Sequence, residues 1–367
     1  MDVLIRDANI AIRAKRPPDQ IGKQLITVFQ EGSFLQLTFQ SRGCRFNAGG
    51  SCSMCNYGYG QAPDEVSIAD ELKQILQRAI EDHVETILLG ASGSFLDERE
   101  IPEPLQDYIC IEVFKTGIPQ IIIETHYKSI SEVALHRISR LLTGRKIELE
   151  IGLETTDPWI QEHILNKNID AIELETMIAI AHHFHMSVTT NLLLGIPFFS
   201  ERAQLDSTKT SIRWALSKKA DYIIVFPINI HPYTLFEWLY QNECVQVPSL
   251  WLAVYLLSEL DDFELDHVSM AWYGNRSMDY GKGRRSIPPK TCKTCQNILL
   301  EFFEEFYENR KLIHRKQKLA DLLRMPLLCN CRETVLQAIS ASPQFLEAQY
   351  QDARSKMKGL IKGHECT

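Results

Sequence analysis

SRGCRFNAGGSCSMCNYGYG, residues 41–60, is the stretch that decides the fold. It places Cys44, Cys52 and Cys55 at a C-x7-C-x2-C spacing, directly behind an apolar run, Leu35–Gln40, that reads as a strand. Outward from it the chain alternates short apolar runs with helix-length amphipathic segments, as βαβ units and a parallel sheet require. Further strands are expected at Thr86–Gly90, Gln120–Thr125, Ile147–Leu153, Ser187–Leu194 and Tyr222–Asn229. Helices are expected at Ser67–Asp82, with Ser67 as cap and an acid three residues on, and at Asp170–Phe184 and Ser207–Lys219. Six such repeats fit either a doubly wound open sheet or a curled, incomplete barrel. In both, ligands sit at the C-terminal ends of the strands.

The three cysteines have a chemical reading of their own. Three thiolates on one Gly-rich loop can wrap a 4Fe–4S cubane with one thiolate per iron, leaving the fourth iron open. Gly49, Gly50, Gly58 and Gly60 let the backbone turn tightly around such a core. Zinc normally takes four ligands in a closed site, and no His stands nearby. A nucleophilic or redox pair at Cys52–Cys55 is the other reading. A second group, Cys292 and Cys295 in TCKTC with Cys329 and Cys331 in CNC, forms two close pairs separated by a long helix expected at Asn297–Lys318. Four cysteines so paired suit a structural zinc once the chain folds back, with a second cluster or free thiols as alternatives. Cys110, Cys244 and Cys366 stand alone. Cys110 and Cys244 read as packing residues. The triplet His182, His183 and His185 reads as a surface or packing feature.

Composition narrows the class. The chain has 367 residues, 45% hydrophobic and 23% charged, which is globular and long enough for a large core. A net charge of −8 gives no overall basic footprint for nucleic acid. Basic residues do gather at Lys282, Arg284 and Arg285 and along Arg310–Lys318, and read as solvated faces. MDVLIRDANIAIRAKRPPDQ carries charge throughout and shows no apolar signal region, and no apolar run reaches the roughly 18 residues of a membrane span. The expectation is a cytoplasmic chain that does not enter membranes. Ten cysteines in such a chain read as metal ligands or catalytic groups, not as disulfides.

The cysteine loop and several further segments resemble the radical SAM superfamily. Within it they resemble the group of the Elongator catalytic subunit and the archaeosine synthase radical SAM subunit. The segments are SGSFLDEREIP (92–102), GLETTDPWIQEHILNKNI (152–169), FPINIHPYTLFEWLY (226–240), VPSLWL (247–252) and the two-part C-terminal cysteine pattern. The usual superfamily spacing has three residues between the first two cysteines, and this chain has seven. The resemblance implies a partial parallel β/α barrel at 34–245, after a lead-in at 1–33 taken as helical or irregular. A helical extension at 246–367 would carry the four-cysteine metal site. It implies S-adenosylmethionine as the cosubstrate, cleaved reductively to a 5′-deoxyadenosyl radical. Met54, Gly90, Ser92, Gly93, Ser94, Glu124, Glu154 and Asn191 would contact it, Glu124 at its ammonium or ribose and Glu154 at its ribose. Asn229, His231 and Tyr233 would face the substrate. An external electron donor of flavodoxin or ferredoxin type is implied. The substrate of the resembled group is a lysine-bearing deazaguanine in tRNA, whose carbon–nitrogen bond is broken. A partner enzyme would then supply the modified tRNA. The missing basic residue after the sixth strand keeps a small-molecule or natural-product substrate open. A metal-stabilised scaffold is the non-enzymatic reading.

Overall fold

The computed structural model describes residues 1–16, 25–167, 169–271, 273–274 and 285–365. Lys282, Arg284 and Cys366 lie outside the described residues.

One eight-stranded sheet organises the molecule: β1 Ile26–Glu31, β2 Phe34–Phe39, β3 Thr86–Ala91, β4 Gln120–Thr125, β5 Lys146–Glu154, β6 Ser187–Leu194, β7 Tyr222–Pro227 and β8 Val268–Met270. Its spatial order is the sequence order, β1 to β8. Only the β1–β2 hairpin is antiparallel; every later pair is parallel. A doubly wound sheet reverses its order midway, and the crevice at that reversal binds ligands. This sheet has no reversal. Its right-handed crossovers therefore all step the same way and lay their helices on one face. The sheet curls away from them into a half-barrel, which settles the choice that periodicity left open.

Strand alternation separates the two faces. Ile87, Leu89, Ile121, Ile123, Leu149 and Ile151 point outward under the helices and are 1% exposed or less. Their neighbours of opposite parity, among them Gln36, Gln120, Glu124, Glu148, Glu150 and Asn191, line the concave face. Parallel strands buried on both sides usually read as unbroken apolar runs. The alternation in KIELEIGLE departs from that because one face of this sheet surrounds a polar hollow.

Six expected strands are present, with ends shifted by a residue or two; the last stops at Pro227 instead of Asn229. Two more were not anticipated. β1 lies inside the stretch taken as a helical or irregular lead-in, which also carries a helix at Val3–Arg13. β8 is three residues long, too short for a periodic signal. The sheet thus extends beyond residues 34–245 at both ends. The helix expected from Ser67 runs Glu65–Glu81, and its cap is Asp64, whose carboxylate accepts from the Ser67 amide. The Asp170 helix runs Ala171–His183 behind an Asp170 cap, and the next runs Glu201–Ser217 behind Ser200.

The helix expected over Asn297–Lys318 is two helices, Lys293–Glu308 and Leu312–Arg324. Asn309 leaves the helix, with φ −101° and ψ 99°, and Arg315 explains why the break holds. Its guanidinium is fully buried and donates to the carbonyls of Asn309, Leu265 and Val268 and to the Tyr222 hydroxyl. That satisfies the freed backbone at the break. Cys110 is wholly buried in the core and Cys244 is 7% exposed, both as packing residues. His182 Nε2 donates to the Asp221 carboxylate at 2.8 Å on the surface.

Candidate active site

The cysteine loop begins where β2 ends. Cys44 starts a one-turn helix, Arg45–Ala48, and its amide donates to Tyr57 O at 2.7 Å. Cys52 has φ 61°, and its amide meets Asn166 O at 3.3 Å, while Ser53 N donates to Leu165 O at 2.8 Å. The fully buried Asn47 bridges the loop, donating to Cys55 O at 2.8 Å and accepting from Gly58 N at 2.7 Å. Asn9 and Asn166, from elements far apart in sequence, both donate to Gly50 O at 2.8 Å. The loop's polar backbone is thus spent on protein partners.

Its thiols are turned to a cavity of about 280 Å³ that Cys44, Cys52 and Cys55 all line. Burial pushes the Cys44 thiol up to about 12, with Cys52 and Glu100 adding to it. Burial likewise raises Cys55, reinforced by Cys52 and Cys44, so the three sulfurs feel one another. They do not crowd round a point, however. Among the described residues the set of metal-binding side chains converging within 4.8 Å of one another is Cys292, Cys295, Cys329 and Cys331. A tetrahedral zinc holds its sulfurs about 3.8 Å apart, from a Zn–S bond of about 2.3 Å. The second set is close enough to hold one ion; the first does not converge so tightly.

Gly93 shows how closely the wall approaches the loop. At φ 146° it has no room for a side chain: a Cβ there would lie 2.7 Å from Cys44 Cβ and overlap the Glu100 carboxylate. Glu100 accepts from Ser94 N at 2.9 Å, and burial pushes it up to about 8. Ser94 is fully buried, its hydroxyl 2.7 Å from Thr125 Oγ1 and accepting from His126 N at 3.1 Å. That hydroxyl holds β3 to β4. Gly93 lines the cavity; Ser92, Ser94 and Gly90 are not part of its lining. Gly90 lies beneath Glu124, whose Oε2 would be 2.9 Å from a Cβ at that position.

Glu124, Glu150 and Glu154 stand along the ends of β4 and β5 and line the cavity with Met54 and Asn191. Burial, then Glu150, Glu154 and Glu100, push Glu124 to a proton affinity well above a carboxylate's ordinary value. Burial raises Glu150 too, against the Asn191 amide that donates to it at 2.7 Å. A β-bulge at Gly152–Glu154, with Glu154 at φ 66°, swings Glu154 inward. Lys167 meets it at 2.7 Å and Gly152 O at 2.9 Å. Burial would lower that ammonium, but Glu154 and Cys52 outweigh it and hold it above its ordinary value.

Asn229 and His231 line the same cavity from the β7 side. His231 Nδ1 is 2.8 Å from Ser286 Oγ, and burial lowers the ring to about 4, so it is neutral at pH 7. Tyr233 stands apart from the lining, with its ring 5.7 Å from the Arg16 guanidinium. Among the lining or supporting residues that were not anticipated are Glu150, Lys167, His126 and Arg13. Glu150 had a signal, since charge at alternate positions of a parallel strand marks a face that is not packed in core. His126 stacks on Phe46 at 4.1 Å, and burial lowers it to about 3. Neither it nor Lys167 and Arg13 had any mark in local sequence.

In the second cysteine group Cys295 and Cys329 sulfurs are 3.2 Å apart. The Cys295 amide, with help from the Cys329 thiol, lowers Cys292 to about 7. The buried Trp251 Nε1 finds no oxygen or nitrogen partner and lies beside the Cys295 thiol. This group packs in the core with the C-terminal helices, away from the cavity.

No family model matches the chain. The chain is homologous to the archaeosine synthase subunit beta of Methanosarcina acetivorans, at 26% identity over 82% of this chain and 83% of that protein. It is likewise homologous to the subunit of that name from Thermococcus kodakarensis, at 28% identity over 62% and 71%. An uncharacterized protein of Methanocaldococcus jannaschii is 24% identical over 76% and 77%. Solved structures give partial likenesses. Methylornithine synthase gives a TM-score of 0.48 at 14% identity over 92% of this chain and 91% of that one. Methanocaldococcus infernus Elp3 gives 0.47 at 13% over 66% and 59%.

Proposed function

We propose that this chain is a radical SAM enzyme whose 4Fe–4S cluster is held by Cys44, Cys52 and Cys55. The observation that carries the reading is that Cys44, Cys52 and Cys55 together line one cavity with the strand-end carboxylates Glu124, Glu150 and Glu154. When bound, the cluster and S-adenosylmethionine supply a 5′-deoxyadenosyl radical that takes a hydrogen atom from the substrate. The protein's part is to bind, orient and exclude water. Glu124 accepts the methionine ammonium, over a floor that Gly90 and Gly93 keep open and Ser92 and Ser94 brace. Glu154, steadied by Lys167, accepts the ribose hydroxyls. Asn191 and Met54 complete the cosubstrate's walls, and Asn229, His231 and Tyr233 serve the substrate side.

The substrate we favour is a lysine-bearing deazaguanine nucleoside of tRNA, cleaved at a carbon–nitrogen bond, because two relatives are named for archaeosine synthesis. A partner subunit would supply that nucleoside, and a flavodoxin- or ferredoxin-type donor the electron. A small-molecule substrate keeps support from the basic run at 310–318. There Lys316 is matched by Asp262 at 2.7 Å, Lys318 by Glu305 at 2.6 Å, and Arg315 is buried. Among the described residues no helix is long and apolar enough to cross a membrane; we place the enzyme in the cytoplasm. Residues 34–245 would act as the catalytic half-barrel and 246–367 as an extension pinned by zinc on Cys292, Cys295, Cys329 and Cys331.

Anaerobic incubation of the reconstituted protein with S-adenosylmethionine and reductant should yield 5′-deoxyadenosine. A protein that stays colourless and gives none sinks the reading. Salt-dependent retention of tRNA then separates the two substrate classes, since phosphate contacts weaken steeply with salt.

A further inference from the structure

Arg13, at the end of the helix Val3–Arg13, is 4% exposed. Its guanidinium reaches into the cysteine loop. It donates to Asn47 O, to Ser51 O at 2.7 Å, to Cys52 O at 3.1 Å and to Cys55 O at 3.4 Å. Its Nε has no hydrogen-bond partner. Among the described residues no carboxylate forms an ion pair with it. The groups able to carry negative charge beside it are the three loop thiols and the Tyr59 phenol. Burying a cation without a counter-charge is among the costliest things a fold can do. Carbonyl dipoles offset only part of that cost, and a neutral hydrogen-bonding side chain would bridge the same carbonyls without it.

We propose that Arg13 is the resident counter-ion of the iron–sulfur cluster, joined to the carbonyls of two of its ligands, so that cluster loading and docking of the N-terminal helix stabilise each other. The proposal rests on the function given above. Three thiolates around an iron–sulfur core carry net negative charge, and reduction adds one more. A fixed cation a few ångströms away favours both the loaded and the reduced states, and so raises the reduction potential. The other face of the helix is also tied down. Ile5, Ala8 and Ile12 pack in the second apolar cluster, and Asp2 meets Arg354 of the C-terminal helix Glu347–Glu365 at 2.5 Å. The charge on Arg13 therefore acts on a helix that bridges the loop and the C-terminus. Arg13 touches no reacting atom; it is a positioning residue.

The test compares wild type, Arg13→Gln and Arg13→Lys after anaerobic reconstitution, each checked for folding by circular dichroism. Wild-type hydrogen exchange should show residues 3–13 gaining protection when the cluster is loaded. Arg13→Gln should lose iron to a chelator roughly tenfold faster, as expected for removing a charged hydrogen-bonding group. Its midpoint potential should be more negative than wild type, and Arg13→Lys should return most of that shift. Cluster-bearing Arg13→Gln with a wild-type potential overturns the counter-ion role, and unchanged protection of residues 3–13 on loading overturns the coupling. Should Arg13→Gln fail to fold, Arg13→Lys decides, because a wholly structural role predicts that it, too, collapses. A wild-type protein that takes up no cluster fails earlier, at the reading of the function itself.

Discussion

The two cysteine groups differ in what surrounds them. Cys44, Cys52 and Cys55 sit on a loop whose backbone is braced by buried asparagines, and all three line a cavity. Cys292, Cys295, Cys329 and Cys331 close on one another within 4.8 Å and face the core. The first arrangement leaves space for chemistry. The second packs among the C-terminal helices, with its sulfurs turned toward one another. The lesson is that thiol count says little until sulfur spacing and the neighbouring space are known.

The comparison breaks most severely at the first group. Cys52→Ala should abolish cluster absorbance and 5′-deoxyadenosine formation altogether, while Cys295→Ala keeps both at reduced thermal stability. Equal loss of activity from the two variants would erase the distinction. The next effect is on stability. Stripping metal from the C-terminal group should lower the melting temperature, by a destabilisation of several kcal/mol at most sites of this kind. Metal analysis of the purified protein should give about one zinc per chain if that site is the closed structural type. An unchanged melting curve after chelation would mean that four free thiols pack there by themselves.

Glu124 sharpens the comparison at the cavity. Its raised proton affinity, about 8, means that it is largely neutral at pH 7 in the ligand-free protein. A cationic ligand needs the ionised form, so S-adenosylmethionine affinity should rise as pH climbs through that value and level off above it. Glu124→Gln should cost roughly ten- to a hundredfold in affinity, about 1.4–2.8 kcal/mol, and flatten the profile. Isothermal titration across pH 6–9 reads both, and a flat wild-type profile would remove Glu124 from the ammonium site. The smallest effect is at Ser94. Ser94→Ala should lose about 1 kcal/mol of stability from its buried hydroxyl bonds, with cosubstrate affinity nearly unchanged. A large loss of affinity would return Ser94 to the ligand surface.

Much of this site is legible without coordinates, because βα repeats put functional groups just past strand ends. Glu124, Glu154, Asn229 and His231 lie at or just past strand ends as that rule expects, the cysteines follow from their spacing, and Asn191, inside β6, came from the family resemblance. Ser94 obeys the same rule and yet its hydroxyl meets Thr125 at the end of the neighbouring strand, a use that a hydroxyl near a strand end can equally serve. Lys167 enters the cavity only because a bulge turns Glu154 toward it. The break at Asn309 goes unseen because its stabilising partner, Arg315, is answered by carbonyls 47 and 50 residues away.

Sequence by itself determined the repeat rhythm, six of the eight strands, and which thiols travel together, since these depend on periodicity and short spacing. Tertiary structure alone decided that the sheet curls without reversing, that one cysteine set lines a cavity and the other converges on itself, and that a buried arginine from the first helix reaches the loop. Each of these depends on distances between residues far apart in the chain, and local pattern carries no record of such distances.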